Sequence, residues 1–308
     1  MPREIFGPGF AFLPREELLT FEEITSVASA FARAGVTKVR LTGGEPLLRA
    51  NLPALVTMIA AVPGVDDIAL TTNGSLLGRH ASALRDAGLS RITVSLDTLD
   101  PATFAAVADA EVTLDSVLQG IAAASAAGFE RLKLNAVVKR GSNDADVEPL
   151  AAFAREHGHT MRFIEYMDVG DTNGWRLDDV VPAAEIVERL AARWPLDPVA
   201  PGYPGEVANR YRYRDGGGEV GVISSISKPF CGTCTRARLS AIGEVYTCLF
   251  ASTGHDLRSL VRSGADAAAL DRAIKSIWTT RADRYSELRA AHTSSESPHK
   301  VEMSYIGG

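Results

Sequence analysis

The sequence predicts an α/β fold: a parallel sheet curved into a barrel or partial barrel whose first strand is missing. Three observations carry this prediction. Short apolar-rich strands alternate with helices at the spacing of strand–helix–strand units. Turns such as TGGEP and TTNG close strands at their C-terminal ends. The first recognisable element is a helix, which in such a fold returns the chain from a strand before it.

Thr20 followed by Phe21, Glu22 and Glu23 is a capping-box pattern, so a helix is expected over 21–34, stopping at Gly35. KVRLTGGEP then gives a strand over 38–42. The alternation continues with a helix over 52–61, a strand over 67–71, a helix over 77–87 and a strand over 91–95. A helix over 114–127 precedes a strand over 132–138, and a helix over 147–157 precedes a strand over 161–165. After a helix over 182–194 the rhythm breaks into APGYPGEVANRYRYRDGGGEVG. That stretch reads as a boundary, with a partial barrel in 1–200 and a C-terminal region with two or three helices in 201–308. HTSSESPHK is polar and reads as a mobile linker before the closing VEMSYIGG.

Of the 308 residues, 46% are hydrophobic and 23% charged, the makeup of a soluble protein with a sizeable core. The net charge of -6 argues against nucleic acid or an anionic membrane as the main partner, while allowing a local basic pocket. MPREIFGPGFAFLPREELL has early acids, prolines and no uninterrupted apolar stretch, so neither a signal peptide nor an anchor is expected, and no later segment is long enough to span a bilayer. A cytoplasmic protein is expected. The three cysteines, Cys231, Cys234 and Cys248, fall in one segment, and such an odd, clustered set reads as metal ligands rather than a disulfide framework.

In FCGTCTRARLSAIGEVYTC, Cys231 and Cys234 form a C-x-x-C pair and Cys248 comes after a strand-like span. Three thiolates suffice for a 4Fe-4S cluster with one open iron, which can bind substrate, and a structural zinc with His255 as fourth ligand is the alternative. Arg236 and Arg238 lie just past Cys234. On an extended segment they point to one face, where two guanidiniums beside an open metal site suit a phosphate-bearing ligand; an exposed strand face is the bland reading. The glycines of TGGEP, over 42–46, let backbone approach a ligand, and Glu45 offers an acceptor to an ammonium group; a simple tight turn would also explain them. TTNG, over 71–74, and SLD, over 95–97, end strands at the functional face of a barrel. Lys38 and Arg40 alternate with apolar residues on one strand, Lys133 lies on another, and Arg162 begins a third. Inward charges are costly without an anion. Taken singly, each could pair with a carboxylate such as Glu165 or sit at a strand mouth; together they predict a polyanionic substrate such as a nucleoside triphosphate.

KVRLTGGEPLLR, ALTTNGSLL, RITVSLDTLD, LKLNAVVKRGSND, RFIEYM, FCGTCTRARLSAIGEVYTCLF, DRYSE and the closing YIGG occur in order over essentially the whole chain. Together they closely resemble the GTP 3′,8-cyclases, radical S-adenosylmethionine (SAM) enzymes that open molybdenum cofactor biosynthesis. The resemblance implies an incomplete six-stranded (βα) barrel of TIM-like, radical SAM type with a C-terminal iron–sulfur region. It implies that Cys231, Cys234 and Cys248 hold a 4Fe-4S cluster whose free iron contacts the guanine of GTP. It also implies that Arg40, Thr71, Lys133, Arg236 and Arg238 bind GTP, with Lys38 and Arg162 lining the same pocket, and that Gly44, Ser95 and Met167 contact SAM. Gly307 and Gly308 match a double-glycine tail that reaches the active site.

In the family, an electron from a second, N-terminal 4Fe-4S cluster cleaves SAM, and the radical formed takes hydrogen from the ribose 3′ carbon of GTP, which then closes onto carbon 8 of guanine. The product goes to the synthase of cyclic pyranopterin monophosphate, and a homodimer is allowed. The family's C-x-x-x-C-x-x-C motif, with Met-Pro directly after it, falls upstream of the segment resembling PREIFGPGFAFLPREELLTF, and this sequence begins at that Met-Pro. With the SAM-cluster cysteines, the first barrel strand and an upstream GTP-binding arginine all outside these residues, the chain alone is expected to be inactive. Two readings stay open: a start assigned at an internal methionine of a complete cyclase, or a non-catalytic GTP-binding iron–sulfur remnant. A zinc-stabilised nucleotide-binding protein is a third.

Overall fold

The structure, a computed structural model, describes residues 13–108, 112–170, 173–289 and 300–306. Gly307, Gly308 and nearly all of the HTSSESPHK stretch lie outside the described residues. Helix α1 (Phe21–Arg33) begins where its capping box places it: Glu23 N donates to Thr20 Oγ1 at 3.1 Å and Thr20 N donates to Glu23 Oε2 at 2.8 Å. Strands β1 (Lys38–Leu41), β2 (Asp67–Thr72), β3 (Arg91–Ser95), β4 (Lys133–Val138) and β5 (Thr160–Glu165) come next. They are joined by α2 (Leu52–Ala60), α3 (Leu77–Asp86), α4 (Pro101–Ala108), α5 (Leu114–Ala126) and α6 (Val147–Glu156), and α7 (Ala183–Arg193) lies beyond β5 in the chain. Apart from α4, each was expected to within one residue at its start and end, because apolar periodicity and glycine stops coincide with the elements.

The sheet continues where a break in rhythm was read. Strand β6 (Leu196–Val199) precedes the Pro- and Gly-rich stretch, β7 (Asn209–Tyr213) lies within it and β8 (Glu219–Ile223) runs out of its end, and the eight-stranded order is β1-β2-β3-β4-β5-β8-β7-β6. β1 to β5 are parallel neighbours in sequence order, β8 adds in parallel against β5, and β7 and β6 complete an antiparallel edge. Pro198 and Asp197 stand on the outermost strand, where a proline and a charge discourage further pairing.

Each strand turns alternate residues to the helices. Leu134, Ala136, Met161, Phe163, Val220 and Val222 are almost fully buried in a core shared with Val56, Ile59, Leu84, Val117, Ile121 and Leu150 of the helices. A second cluster unites Val27 and Ala30 of α1 with Val245, Leu257, Leu270 and Ile274. This cluster packs α1 against the C-terminal part of the chain. There a small antiparallel sheet of β9 (Arg238–Leu239), β10 (Glu244–Tyr246) and β11 (His255–Asp256) leads into helices α8 (Arg258–Arg262) and α9 (Ala267–Thr279). Two short helices, α10 (Tyr285–Leu288) and α11 (Met303–Ile306), close the described chain. Among the described residues no helix is long and apolar enough to cross a membrane.

Candidate functional site

The strand face away from the helices carries Lys38 and Arg40 of β1, Asp67 and Thr71 of β2, Arg91 and Thr93 of β3, Lys133 and Asn135 of β4, and Arg162 of β5. Register draws them together: Thr93 stands opposite Thr71 and Lys133, and Asn135 opposite Arg162. Arg40 donates to Thr71 Oγ1 at 2.8 Å and Thr93 Oγ1 at 3.2 Å, and Arg162 Nε donates to Asn135 Oδ1 at 2.9 Å. Gly221, opposite Arg162 on β8, leaves room for it, since a Cβ there would come within 3.1 Å of Arg162 Cγ.

Carboxylates are scarce on this face. Asp67 is paired with Arg91 through Nε at 2.8 Å. Lys133 has no carboxylate within ion-pairing distance among the described residues. Burial first, then Arg162, Arg91 and Arg40, push its ammonium down to about 8, with Glu206 opposing weakly. Arg162 is pushed down to about 10 by burial and by Arg40, and Arg40 is lowered by burial and Arg91. Arg40 is enclosed by protein atoms yet keeps a solvent-facing surface, as befits a group at an open mouth. Cations that lower one another's pKa are an arrangement short of negative charge. Glu165 does not supply it, contrary to the alternative of local pairing. It is 0% exposed on the helix side, where its carboxylate accepts from Ala183 N (2.6 Å), Ile226 N (2.7 Å), Ser227 N (2.8 Å) and Ser227 Oγ (2.5 Å).

At the C-terminal ends of the strands, Glu45 ties β1 to β2 by accepting from Leu47 N (3.0 Å), Thr72 Oγ1 (2.7 Å) and Asn73 N (2.8 Å). Its first duty is therefore to hold the turn. Gly44 and Ser95 are exposed at this end, and Met167, in the loop after β5, is half-buried with its carbonyl accepting from Asn173 Nδ2 at 2.8 Å. Asp97, of the SLD segment, accepts from Val137 N at 2.8 Å, and burial pushes its carboxyl up to about 6 against that hydrogen bond.

The cysteine segment enters by a single 3-10 turn, Cys231–Thr233, and all three thiols are free and half-buried. Arg236 donates to Cys234 Sγ through Nε at 3.3 Å and Nη2 at 3.1 Å, and Phe250 N donates to Cys248 Sγ at 3.4 Å. Burial alone would raise the Cys234 thiol; Arg236 and Arg281 outweigh it and hold the thiol low, whereas burial raises Cys248. Among the described residues no three His, Cys, Asp or Glu side chains are drawn into one metal shell, and His255 lies exposed on β11 opposite Val245. The donor set nonetheless fits an iron–sulfur cluster: three thiols within one segment, two of their sulfurs already accepting N–H donors of the kind that steady cluster thiolates. Arg238, opposite Tyr246, is pushed down to about 10 by burial and Arg236, with Cys234 and Cys248 opposing.

One loop spans the two halves. The Tyr203 ring lies 3.7 Å under Lys38 Nζ, and two residues on, a Cβ at Gly205 would fall 2.8 Å from the Thr233 carbonyl. Arg91, Tyr203 and Glu206 were not singled out in the sequence. For Arg91 a period-2 signal was present in RITVS; Tyr203 and Glu206 sit in an irregular loop whose place only the fold reveals.

Residues 6–154 match the Radical SAM superfamily and residues 159–287 match Molybdenum Cofactor Synthesis C. A GTP 3′,8-cyclase of Acidothermus cellulolyticus is 65% identical, the match covering 100% of this chain and 91% of the relative. One from Xanthomonas campestris pv. campestris is 53% identical over 96% of this chain and 86% of its own. Among solved structures, a radical SAM methyltransferase from Sphaerobacter thermophilus aligns with a TM-score of 0.44 at 17% identity, covering 56% of this chain and 54% of that one.

Proposed function

Because this chain belongs to the GTP 3′,8-cyclase family of radical SAM lyases, we propose that it binds GTP between the cationic strand face and the cysteine segment, for conversion to (8S)-3′,8-cyclo-7,8-dihydroguanosine 5′-triphosphate. The observation that carries this reading is the set of mutually destabilising cations, Arg40, Lys133 and Arg162, for which a triphosphate is a natural counter-ion.

Lys38, Arg40, Thr71, Lys133 and Arg162 would take the phosphates and ribose, and Arg236 and Arg238 the end of the nucleotide nearer the thiols. Cys231, Cys234 and Cys248 would hold a 4Fe-4S cluster, and Gly44, Ser95 and Met167 would contact SAM. When bound, SAM and the clusters of the family supply the one-electron chemistry. The chain's own residues fix the triphosphate, orient the ribose and guanine, and limit the solvent around them. Its three cysteines would serve that one cluster. Gly307 and Gly308 come after α11 in sequence and would join the site as the terminal tail. The product suits the synthase that makes cyclic pyranopterin monophosphate.

Titration of the anaerobically purified protein with GTP tests the reading. Arg162→Met and Lys133→Met should each weaken binding at least about tenfold, the loss of a charge-assisted contact. GTP binding that is undetectable, or indifferent to both changes, would overturn it.

A further inference from the structure

A buried charge cluster outside the cationic face holds the start of the terminal segment. Asp168 lies in the loop after β5, next to Met167. Its carboxylate accepts from Arg289 Nε at 2.9 Å, from Tyr285 OH at 2.7 Å and from Lys300 Nζ at 3.0 Å, and its backbone carbonyl accepts from Lys300 Nζ at 2.9 Å. The side chains of Asp168, Arg289 and Lys300 are 11%, 13% and 11% exposed. Aromatic rings line both cations: Lys300 Nζ lies 4.6 Å from the Tyr285 centroid, and the Arg289 guanidinium 5.6 Å from that of Phe250. Tyr285 and Phe250 stack at 4.6 Å.

The segment beyond Lys300 is tied on two sides. Val301 N donates to the Ala251 carbonyl at 3.0 Å, just past Phe250, whose own N–H meets Cys248 Sγ. On the other side Gly170, at φ +65, makes room for Glu302, whose carboxylate would overlap a Cβ placed there. Ile306, 2% exposed, ends α11. A buried ion cluster stabilises little beyond what apolar packing would, but directional donors converging on one carboxylate admit a single geometry.

We infer that Asp168 is a positioning residue: it sets the register of 300–306 against both the loop that bears Met167 and the loop just after Cys248, and so fixes where the chain enters Gly307. The inference rests on the reading that the terminal glycines reach the nucleotide. Its role is separate from nucleotide affinity, because among the described residues the Asp168 cluster and the cationic face are built from different side chains.

The test compares the full chain with Asp168→Asn and with Lys300→Met. The second lies outside the sheet and leaves the barrel core untouched. In both, amide exchange over 301–306 should rise by about tenfold or more while β4 and β5 stay protected, and Lys300→Arg should keep exchange slow. The double variant should be no looser than either single one. Photolabelling with 8-azido-GTP should mark peptides beyond residue 300 in the parent and lose that mark in both variants, with GTP affinity unchanged. Exchange unaltered in both variants overturns the anchor, and a retained label despite faster exchange overturns the positioning role. A parent that labels nothing beyond 300 sinks the tail reading itself, leaving exchange to judge the anchor.

Discussion

Binding of a triphosphate should draw a proton onto Lys133, and the amount can be worked out from its surroundings. The ammonium sits at about 8, pushed down by burial and by Arg162, Arg91 and Arg40. A bound polyanion reverses the electrostatic part of that shift, returning the group toward the ordinary lysine value of about 10.4. Binding should then take up at most about 0.5 proton at pH 8, about 0.9 at pH 9 and about 0.1 at pH 7, limits reached only if the group regains its ordinary value in full; burial, the larger cause of the shift, keeps the uptake below them. The phosphate's own ionisation, near about pH 6, is complete in the upper window and does not obscure it. Affinity should accordingly fall as pH rises from 8 toward 10. Without the anion the sign for stability is opposite: between about 8 and 10.4 the unfolded chain binds more protons at this lysine than the folded one, so its contribution rises with pH. Calorimetric titrations at pH 7, 8 and 9, each in two buffers of different ionisation enthalpy, measure the uptake. A value near zero at pH 8 and 9, or an undiminished one in Lys133→Met, would refute the placement of the phosphates beside Lys133.

Arg236→Ala and Arg238→Ala should each weaken GTP binding by about 1.5 to 3 kcal/mol, read by the same titration, and unchanged affinity in both removes their part in holding the nucleotide. Anaerobic protein should carry iron and sulfide that Cys234→Ser diminishes; zinc without sulfide, lost in His255→Ala, would favour the zinc-stabilised reading instead. Glu165→Ala strands the amides of Ala183, Ile226 and Ser227 and should lower the unfolding free energy by at least about 3 kcal/mol in denaturant melts. Gly221→Ala should crowd Arg162 and weaken GTP binding while the melting temperature moves little.

The helices and first five strands were legible because one face of each is packed by apolar residues at a regular period, and Thr20 with Glu23 announced α1 by local chemistry alone. Helix α4 escaped notice although Asp100 caps it, with Thr103 N donating to Asp100 Oδ1 at 2.8 Å, in a D-P-A-T sequence that carries the signal. Strands β6 to β8 were hidden because Pro198 stands inside β6 and the turns that carry Gly202, Gly205 and the glycines of 216–218 crowd short strands, which are held by pairing β6 with β7, β7 with β8 and β8 with β5. At the site, alternation placed Lys38, Arg40, Lys133 and Arg162 on one face. It could not show that Arg91 joins them already matched to Asp67, or that Glu165 turns the other way to serve backbone amides, because cross-strand partners depend on register.

The seam between the two sequence families falls at 154–159, yet the second begins with β5 and later supplies β8, both hydrogen-bonded into the sheet started by the first. Removing either segment would leave β4 or β5 with an unpaired edge, so the two form one folding unit. A polypeptide split at that seam should regain its shape only when both pieces meet, by the later piece inserting β5 beside β4.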